Sequence, residues 1–190
     1  VPQKAVLFHG TIRENMKMGK EDASDEEIRS ALKTAQALEI VENKPEGLDT
    51  IVSEGGKNLS GGQRQRAYLA MALAQQTETV LMDEPTASLT QAETDRLLDI
   101  VRKLSADGVA VVFVSHRLAE VLDIASRVTV VRDGKLVGVY PTTGMTQARL
   151  GELMTGHVLT DEVAARDMGA APAVPLAPVA PIPAPLAPVA

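Results

Sequence analysis

The sequence predicts an α/β fold in which a parallel sheet core is joined to a helical subdomain. Three short apolar runs rich in β-branched residues, at 80–82, 109–115 and 128–131, have the length and composition of strands that a parallel sheet buries on both faces. Segments with apolar residues at helical spacing lie between these runs, so predicted strands and helices alternate along the chain. This alternation is the pattern of α/β domains.

The first third of the chain is predicted to be mainly helical. Ser24 and Glu27 have the spacing of a capping box, and apolar residues at helical spacing follow as far as Ala37. A loop containing proline and glycine comes next, and 61–74 is rich in good helix formers. We therefore expect a helical subdomain over about 20–75.

The α/β core is predicted over 78–140. Its two connecting helices are indicated by apolar residues three or four positions apart, which are Leu97, Val101 and Leu104 in the first and Leu118, Val121, Leu122 and Ala125 in the second. Asp133-Gly134 is typical of a hairpin turn, which leads into a strand at 135–139. A short closing helix is expected over 146–154.

The last segment, 160–190, is predicted to be a linker and a disordered tail. From about Ala170 it consists of Ala, Pro, Val and Leu with few exceptions, and prolines recur throughout it. Proline at this density removes helical hydrogen bonds and favours the extended polyproline II conformation. A docking motif for a proline-binding module is the alternative interpretation.

The composition excludes several classes of protein. A net charge of −6 argues against an electrostatic nucleic-acid binder, and the one basic cluster, Arg64 with Arg66, is interpreted as charge on a helix face. The lack of cysteine excludes disulfides and thiolate metal sites, which suits a reducing cytoplasm. No apolar run reaches the roughly 18 to 20 residues of a membrane span, so we expect any link to a membrane to come through a partner.

Two motifs indicate nucleotide chemistry. In LSGGQ at 59–63, a serine and two glycines leave bare backbone N–H groups at a helix start, where phosphate groups bind readily. In VLMDEP at 80–85, an apolar strand ends in two carboxylates that can serve a phosphate-bound magnesium ion. The alternatives are a helix N-cap at Ser60 and a strand that merely ends in a solvated turn.

These residues resemble the ATP-binding cassette (ABC) family. LSGGQ matches its signature motif, VLMDEP its Walker B strand with the catalytic glutamate, Val1-Pro2-Gln3 its Q-loop, and Val114-Ser115-His116 its switch histidine. The four motifs stand in the family's order, and the resemblance covers about 1–159. It implies a partial P-loop NTPase fold, ATP and Mg²⁺ as substrate and cofactor, and ATP hydrolysis coupled to membrane transport.

One motif of the family is missing from the sequence. A P-loop has the form G-x-x-x-x-G-K-[ST], because its glycines expose N–H groups to phosphate, its lysine neutralises the phosphates and its hydroxyl binds magnesium. The nearest approach here is Gly55-Gly56-Lys57-Asn58, which lacks the first glycine and the hydroxyl. We therefore expect a cassette truncated at its N-terminus that hydrolyses ATP poorly or not at all.

The resemblance implies catalytic roles for Glu84, His116 and Gln3. Glu84 would be the general base for the attacking water, since it follows Asp83, which together with Gln3 would bind magnesium. His116 follows a predicted strand at the edge where α/β sheets bind ligands, and it would contact the γ-phosphate. A purely structural histidine is the alternative.

The resemblance also implies that Ser60, Gly61, Gly62 and Gln63 bind nucleotide. They would donate to the γ-phosphate of ATP held by a second cassette in a head-to-tail dimer. The implied partners are this second cassette and transmembrane subunits, without nucleic acid, at the cytoplasmic side of a membrane. Thr90 departs from exporters, which have aspartate there, and forms a possible capping box with Glu93.

The two halves of the chain resemble different branches of the family. Residues 1–74 are similar to exporter cassettes, whereas 78–159 are similar to ribose-type importer cassettes, so we expect a chimera, with a natural intermediate subfamily as the alternative. Two other functions stay open. One is a non-catalytic module that lends its signature to a partner; the other is an ABC protein of DNA repair or translation, although the basic surfaces or long coiled coils expected of that class are missing from the sequence.

Overall fold

The computed structural model describes residue 1 and residues 6–156. It divides into two compact units, one ending at His116 and one beginning at Arg117. Gln3 and the predicted tail at 160–190 lie outside the described residues. The predicted α/β class is confirmed, because a helix packs against a parallel pair of strands in the first unit.

The first unit contains five helices and four strands among its described residues. The helices are α1 (Ile12–Lys17), α2 (Asp25–Thr34), α3 (Glu39–Glu42), α4 (Gly61–Leu73) and α5 (Gln91–Ala106). The strands are β1 (Gly10–Thr11), β2 (Ile51–Val52), β3 (Thr79–Asp83) and β4 (Ala110–Val114), of which β1 and β2 pair antiparallel and β3 and β4 pair parallel.

Capping boxes begin four of these helices. The predicted boxes of α2 and α5, at Ser24 with Glu27 and at Thr90 with Glu93, are both present, with hydrogen bonds in both directions. Such a box satisfies two backbone N–H groups that a helix start otherwise leaves unpaired. Two further boxes begin α1 and α4, formed by Thr11 with Glu14 and by Ser60 with Gln63.

Helix α4 is packed into the helical part of this unit rather than lying on its surface. It contacts α1, α2 and α5, and Leu69 on α4 is fully buried. The interpretation of Arg66 as surface charge is wrong, because its side chain is 5% exposed, donates to the Gln36 carbonyl at 2.9 Å and pairs with Glu39. A guanidinium can be buried where carbonyl and carboxylate oxygens satisfy its donors.

The parallel pair β3–β4 is buried on one face only. Val80 and Met82 are buried, and α5 packs against β4. On the other face, the side chains of Leu81, Val112 and Val114 are about half exposed, at 55%, 50% and 46%. The expectation of burial on both faces is therefore wrong for these strands, because within the described residues only one layer covers them.

Residue 1 extends this sheet. The Val1 amino group donates to the Leu81 carbonyl, and the Asp83 amide donates to the Val1 carbonyl at 2.9 Å. Together these two bonds form one rung of a parallel ladder along β3. The segment that carries the predicted Q-loop thus starts beside the strand that carries Asp83.

The second unit contains α6 (Leu118–Ile124), β5 (Arg127–Arg132), β6 (Lys135–Pro141) and α7 (Gln147–Thr155). The predicted hairpin is confirmed: Asp133 and Gly134 both have positive φ, at 50° and 72°, as a type I′ turn requires. The expectation that 128–131 joins the parallel sheet is wrong, because β5 pairs antiparallel with β6. A two-residue turn can join only antiparallel neighbours.

Candidate nucleotide site

The carboxyl edge of β3–β4 brings two of the predicted catalytic residues together. Asp83 at the end of β3 lies opposite Val114 at the end of β4. The next residue, Glu84, donates its amide to the Val114 carbonyl at 2.8 Å. Its carboxylate Oε1 lies 2.8 Å from Nδ1 of His116. Residues 32 positions apart thus form a carboxylate–imidazole pair at the edge where α/β folds bind ligands.

Glu84 is held in an unusual state. Its backbone has φ of +46°, in the left-handed region that residues other than glycine rarely adopt and that is concentrated at functional sites. Its side chain is 21% exposed, whereas that of His116 is 69% exposed. The second carboxylate oxygen, Oε2, is buried and has no hydrogen-bond partner among the described residues. One oxygen is therefore oriented by the imidazole, and the other is left without a protein partner among the described residues.

Asp83 is exposed at the end of β3, next to this pair. No group of three or more His, Cys, Asp or Glu side chains in the described part of the chain could hold a metal by itself. Magnesium fits such a sparse donor set, because it is commonly bound through one or two carboxylates with the remaining positions filled by water and phosphate oxygens. Asp83 would be the carboxylate ligand, and Gln3 lies outside the described residues.

The signature residues form the start of α4. The Ser60 hydroxyl accepts from the Gln63 amide at 3.1 Å, and the Gln63 side chain accepts from the Ser60 amide at 3.0 Å. The N-cap alternative is therefore correct as a description of the local structure. The capping box does not use the Ser60 hydroxyl proton or the amides of Gly61 and Gly62. These amides are the first N–H groups of a 13-residue helix, a position that favours binding of an anion.

An anion already lies there, and it belongs to Glu93. Glu93 Oε1 accepts from the Ser60 hydroxyl at 3.2 Å and from the Gly62 amide at 3.0 Å, while Oε2 accepts from the amide and hydroxyl of Thr90. The bonds from Thr90, together with those from Gly62 and Ser60, lower the pKa of Glu93 from its ordinary value despite partial burial. The sequence indicated the capping box with Thr90 and gave no sign of the contact with Gly62.

The close approach explains the glycine at position 62. A Cβ atom there would lie 2.5 Å from Glu93 Oε1, well inside normal contact. At Gly61, the nearest atom to an added Cβ is the Ser88 carbonyl oxygen at 3.6 Å, which is ordinary contact. A side chain at position 62 would therefore displace the Glu93 carboxylate from its present position.

Comparison with known proteins agrees with these motifs. Residues 1–87 match the family model described as ABC transporter. The chain is 41% identical over 136 residues to the mitochondrial potassium channel ATP-binding subunit of Pongo abelii, covering 72% of this chain and 19% of that protein. It is 40% identical over 137 residues to the ATP-dependent lipid A-core flippase of Desulfotalea psychrophila, covering 72% and 24%.

An importer protein and a solved exporter structure are similar too. The ribose import ATP-binding protein RbsA 3 of Rubrobacter xylanophilus is 35% identical over 153 residues, covering 80% of this chain and 30% of that protein. The structure of a bacterial Atm1-family ABC exporter with ATP bound has a TM-score of 0.67 at 29% identity, covering 90% of this chain and 28% of that chain. The chain thus spans less than a third of the length of these four proteins.

The fold and the motifs together place the chain in the class of partial P-loop NTPase folds. The resemblance to the ABC family is confirmed, and the part of the chain that matches its model belongs to the ABC transporter family. The chain is similar to exporter proteins and to an importer protein alike. The predicted join between an exporter-like and an importer-like half stays a prediction. Among the described residues, no helix combines the length and the apolar character that crossing a membrane requires.

Proposed function

We propose that this chain is part of an ABC-type ATPase that couples ATP hydrolysis to membrane transport, and that Glu84 is its general base. The observation that carries the proposal is the 2.8 Å contact between Glu84 and His116 at the carboxyl edge of β3–β4. A general base needs a fixed orientation and a free acceptor atom within reach of the proton it removes. His116 supplies the orientation through Oε1, Oε2 has no partner among the described residues, and the side chain as a whole keeps 21% of its surface exposed at the edge.

The chemistry of the edge follows from these atoms. With Nδ1 protonated, His116 would donate to Glu84 Oε1 and fix the carboxylate. The lytic water would give a proton to this carboxylate as its oxygen bonds to the γ-phosphorus and the bond to the leaving ADP oxygen breaks. The ring of His116, which is 69% exposed, would also contact the γ-phosphate. Asp83 would hold magnesium, which supplies positive charge to the phosphate oxygens when bound.

The phosphate cradle itself is not encoded in these 190 residues, because no segment has the P-loop form. We propose that the chain alone is therefore a weak or inactive ATPase, since phosphate positioning is what brings the γ-phosphate to the base. Its proposed partners are a second nucleotide-binding cassette and transmembrane subunits.

The test uses a cassette completed by joining an exporter-type P-loop segment ahead of Val1. Glu84→Gln keeps the shape of the side chain and removes the base, so ATP binding should persist while turnover falls by about 10²- to 10⁴-fold. Glu78→Gln is the matched control, because Glu78 stands just before β3 at the opposite edge of the sheet. Parental turnover in the Glu84 variant would reject the proposed role.

A second candidate function is the donation of the signature to a partner cassette. It is favoured by the exposed Ser60 at the start of α4, in a chain whose sequence has no P-loop. The chain should restore ATP hydrolysis to a cassette that has a P-loop and a disabled signature. Ser60→Arg, which puts a bulky side chain at the contact, should abolish this rescue; rescue that survives the substitution would exclude the candidate.

A further inference from the structure

Glu93 differs from the other capping-box residues of the described chain. Glu14 and Gln63 accept from the backbone at the start of their own helices, and Glu27 adds a pair with Lys20 and a long contact from Gln76. Glu93 alone among these four places its carboxylate on the start of another helix, 31 to 33 positions away in sequence. The contact thus goes beyond what capping of α5 needs.

The donors that Glu93 occupies are those that the signature would offer to phosphate. The Ser60 hydroxyl and the Gly62 amide converge on the same oxygen, Oε1. A phosphate oxygen that bound these two donors would take the position of that carboxylate oxygen. Two anions cannot share two donors at contact distance without strong repulsion.

We infer that Glu93 is an internal anion that occupies the signature, and that the phosphate of a nucleotide held by a second cassette binds there only after Glu93 releases Ser60 and Gly62. The inference rests on the proposed role of the signature. Glu93 acts in it as a positioning residue, which neither touches the reacting atoms nor transfers a proton.

The geometry allows this release without unfolding α5. The Glu93 amide donates to the Thr90 hydroxyl through a bond that does not involve the carboxylate, so α5 stays capped while the carboxylate turns away from α4. The lowered pKa of Glu93 keeps the carboxylate charged at neutral pH, where the competition takes place. The Glu93 contact therefore acts as a latch, meaning that an incoming phosphate must displace the Glu93 carboxylate before it can bind Ser60 and Gly62.

The first test uses the chain alone, labelled with ¹⁵N and titrated with inorganic phosphate. The Gly62 amide resonance reports occupation of the signature. Glu93→Gln removes the charge and keeps a residue that capping boxes accept, so Gly62 should respond at about fivefold lower phosphate concentration than in the parent chain. Glu14→Gln is the matched control, since it makes the same change in the capping box of α1, and it should leave the Gly62 titration unchanged.

Two results would overturn the inference: the same phosphate concentration dependence in Glu93→Gln and the parent, or no response of Gly62 in either across the accessible range. Thermal unfolding of each variant establishes that it is folded. The second variant, Glu93→Asp, keeps the charge but shortens the side chain, so Gly62 should respond at a lower phosphate concentration than in the parent chain. An unchanged response would count against the inference.

The second test keeps failure of the inference separate from failure of the proposed function. In the rescue of a signature-disabled cassette, Glu93→Gln should lower the concentration of chain needed for half-maximal rescue by about fivefold. If the parent chain rescues and Glu93→Gln needs the same or a higher concentration, the latch is wrong and the signature role stands. If no chain rescues but Gly62 still responds to phosphate as expected, the latch stands and the signature role fails.

Discussion

The β3–β4 edge and the start of α4, the two regions with proposed nucleotide contacts, are bonded in opposite ways. At the edge, Glu84 has a left-handed backbone and a buried oxygen with no partner among the described residues. At α4, the hydroxyl of Ser60 and the amide of Gly62 are already bonded to Glu93. A reactive group is useful only if it is left unsatisfied, whereas a binding surface left unsatisfied loses stability, and the protein meets both demands in one unit.

This difference predicts how each region responds to substitution. Removing a group at the edge should impair chemistry with little effect on stability, because the edge is strained and incompletely bonded. Removing a group at α4 should alter binding and stability together, because its hydrogen bonds also hold α4 against the start of α5.

The edge should behave as a unit. In the completed cassette, Glu84→Gln lowers turnover by about 10²- to 10⁴-fold, and His116→Ala should lower it by a comparable factor because it removes the group that orients the base. The double variant should be little worse than the more severe single variant, since residues that act together are not additive. Steady-state ATPase rates test this, and multiplication of the two single effects would show that the residues act independently.

The chain by itself should bind ATP weakly, because neither region supplies a phosphate cradle. Calorimetric titration with ATP and magnesium should give a dissociation constant above about 1 mM, equivalent to about −4 kcal/mol or weaker. The completed cassette serves as the positive control. Micromolar affinity for the chain alone would mean that the described regions are sufficient to anchor phosphate, and the argument from the missing P-loop would fail.

Alanine substitution at Gly62 and at Gly61 should have different effects on stability, because only at Gly62 would the added Cβ collide with Glu93. Gly62→Ala displaces Glu93 and should lower the free energy of unfolding by about 1 kcal/mol relative to Gly61→Ala, since bonds from Ser60 and Gly62 are lost. Urea unfolding measures the difference. In a Glu93→Ala background the two glycine variants should become equal, and a difference that persists there would assign the cost to another contact.

The sequence predicted well those features that depend on neighbours along the chain. The capping boxes at Ser24 and Thr90 and the hairpin at Asp133-Gly134 follow from residue identity at fixed short spacing, and all are present. The Glu84–His116 contact follows from two parallel strands whose ends meet at one edge. The sequence predicted that the two residues lie near each other, but it did not predict their direct contact or the positive φ of Glu84.

The features that sequence reasoning missed depend on packing between distant segments. Arg66 looked like surface charge because nothing near it in sequence shows that Gln36 and Glu39 lie beside it. The contact of Glu93 with Gly62 joins the starts of two helices and leaves no periodic signal. Exposure of Leu81 and Val112 depends on which layers cover the sheet, and an apolar β-branched run is the same whether one face is covered or two.

The smallest expected effect is a change in the pH dependence of the free energy of unfolding when Glu93, which contacts the start of α4, is replaced by Gln. Bonds from Thr90, Gly62 and Ser60 lower the pKa of Glu93 in the folded chain below its ordinary value. Its contribution to stability is therefore fully present above the unfolded pKa and is lost as pH falls through the folded pKa. Glu93→Gln cannot titrate, so it should lose less stability than the parent between neutral pH and the acid limb.

Glu27, whose folded pKa is about 2, provides a parallel carboxylate away from the signature. Urea unfolding across this range should show a flatter acid limb for Glu93→Gln and for Glu27→Gln, whereas only Glu93→Gln should also change the phosphate response of Gly62. An acid limb identical to the parent in Glu93→Gln would mean that the carboxylate is not held by these donors in solution, and the contrast between the two regions would disappear.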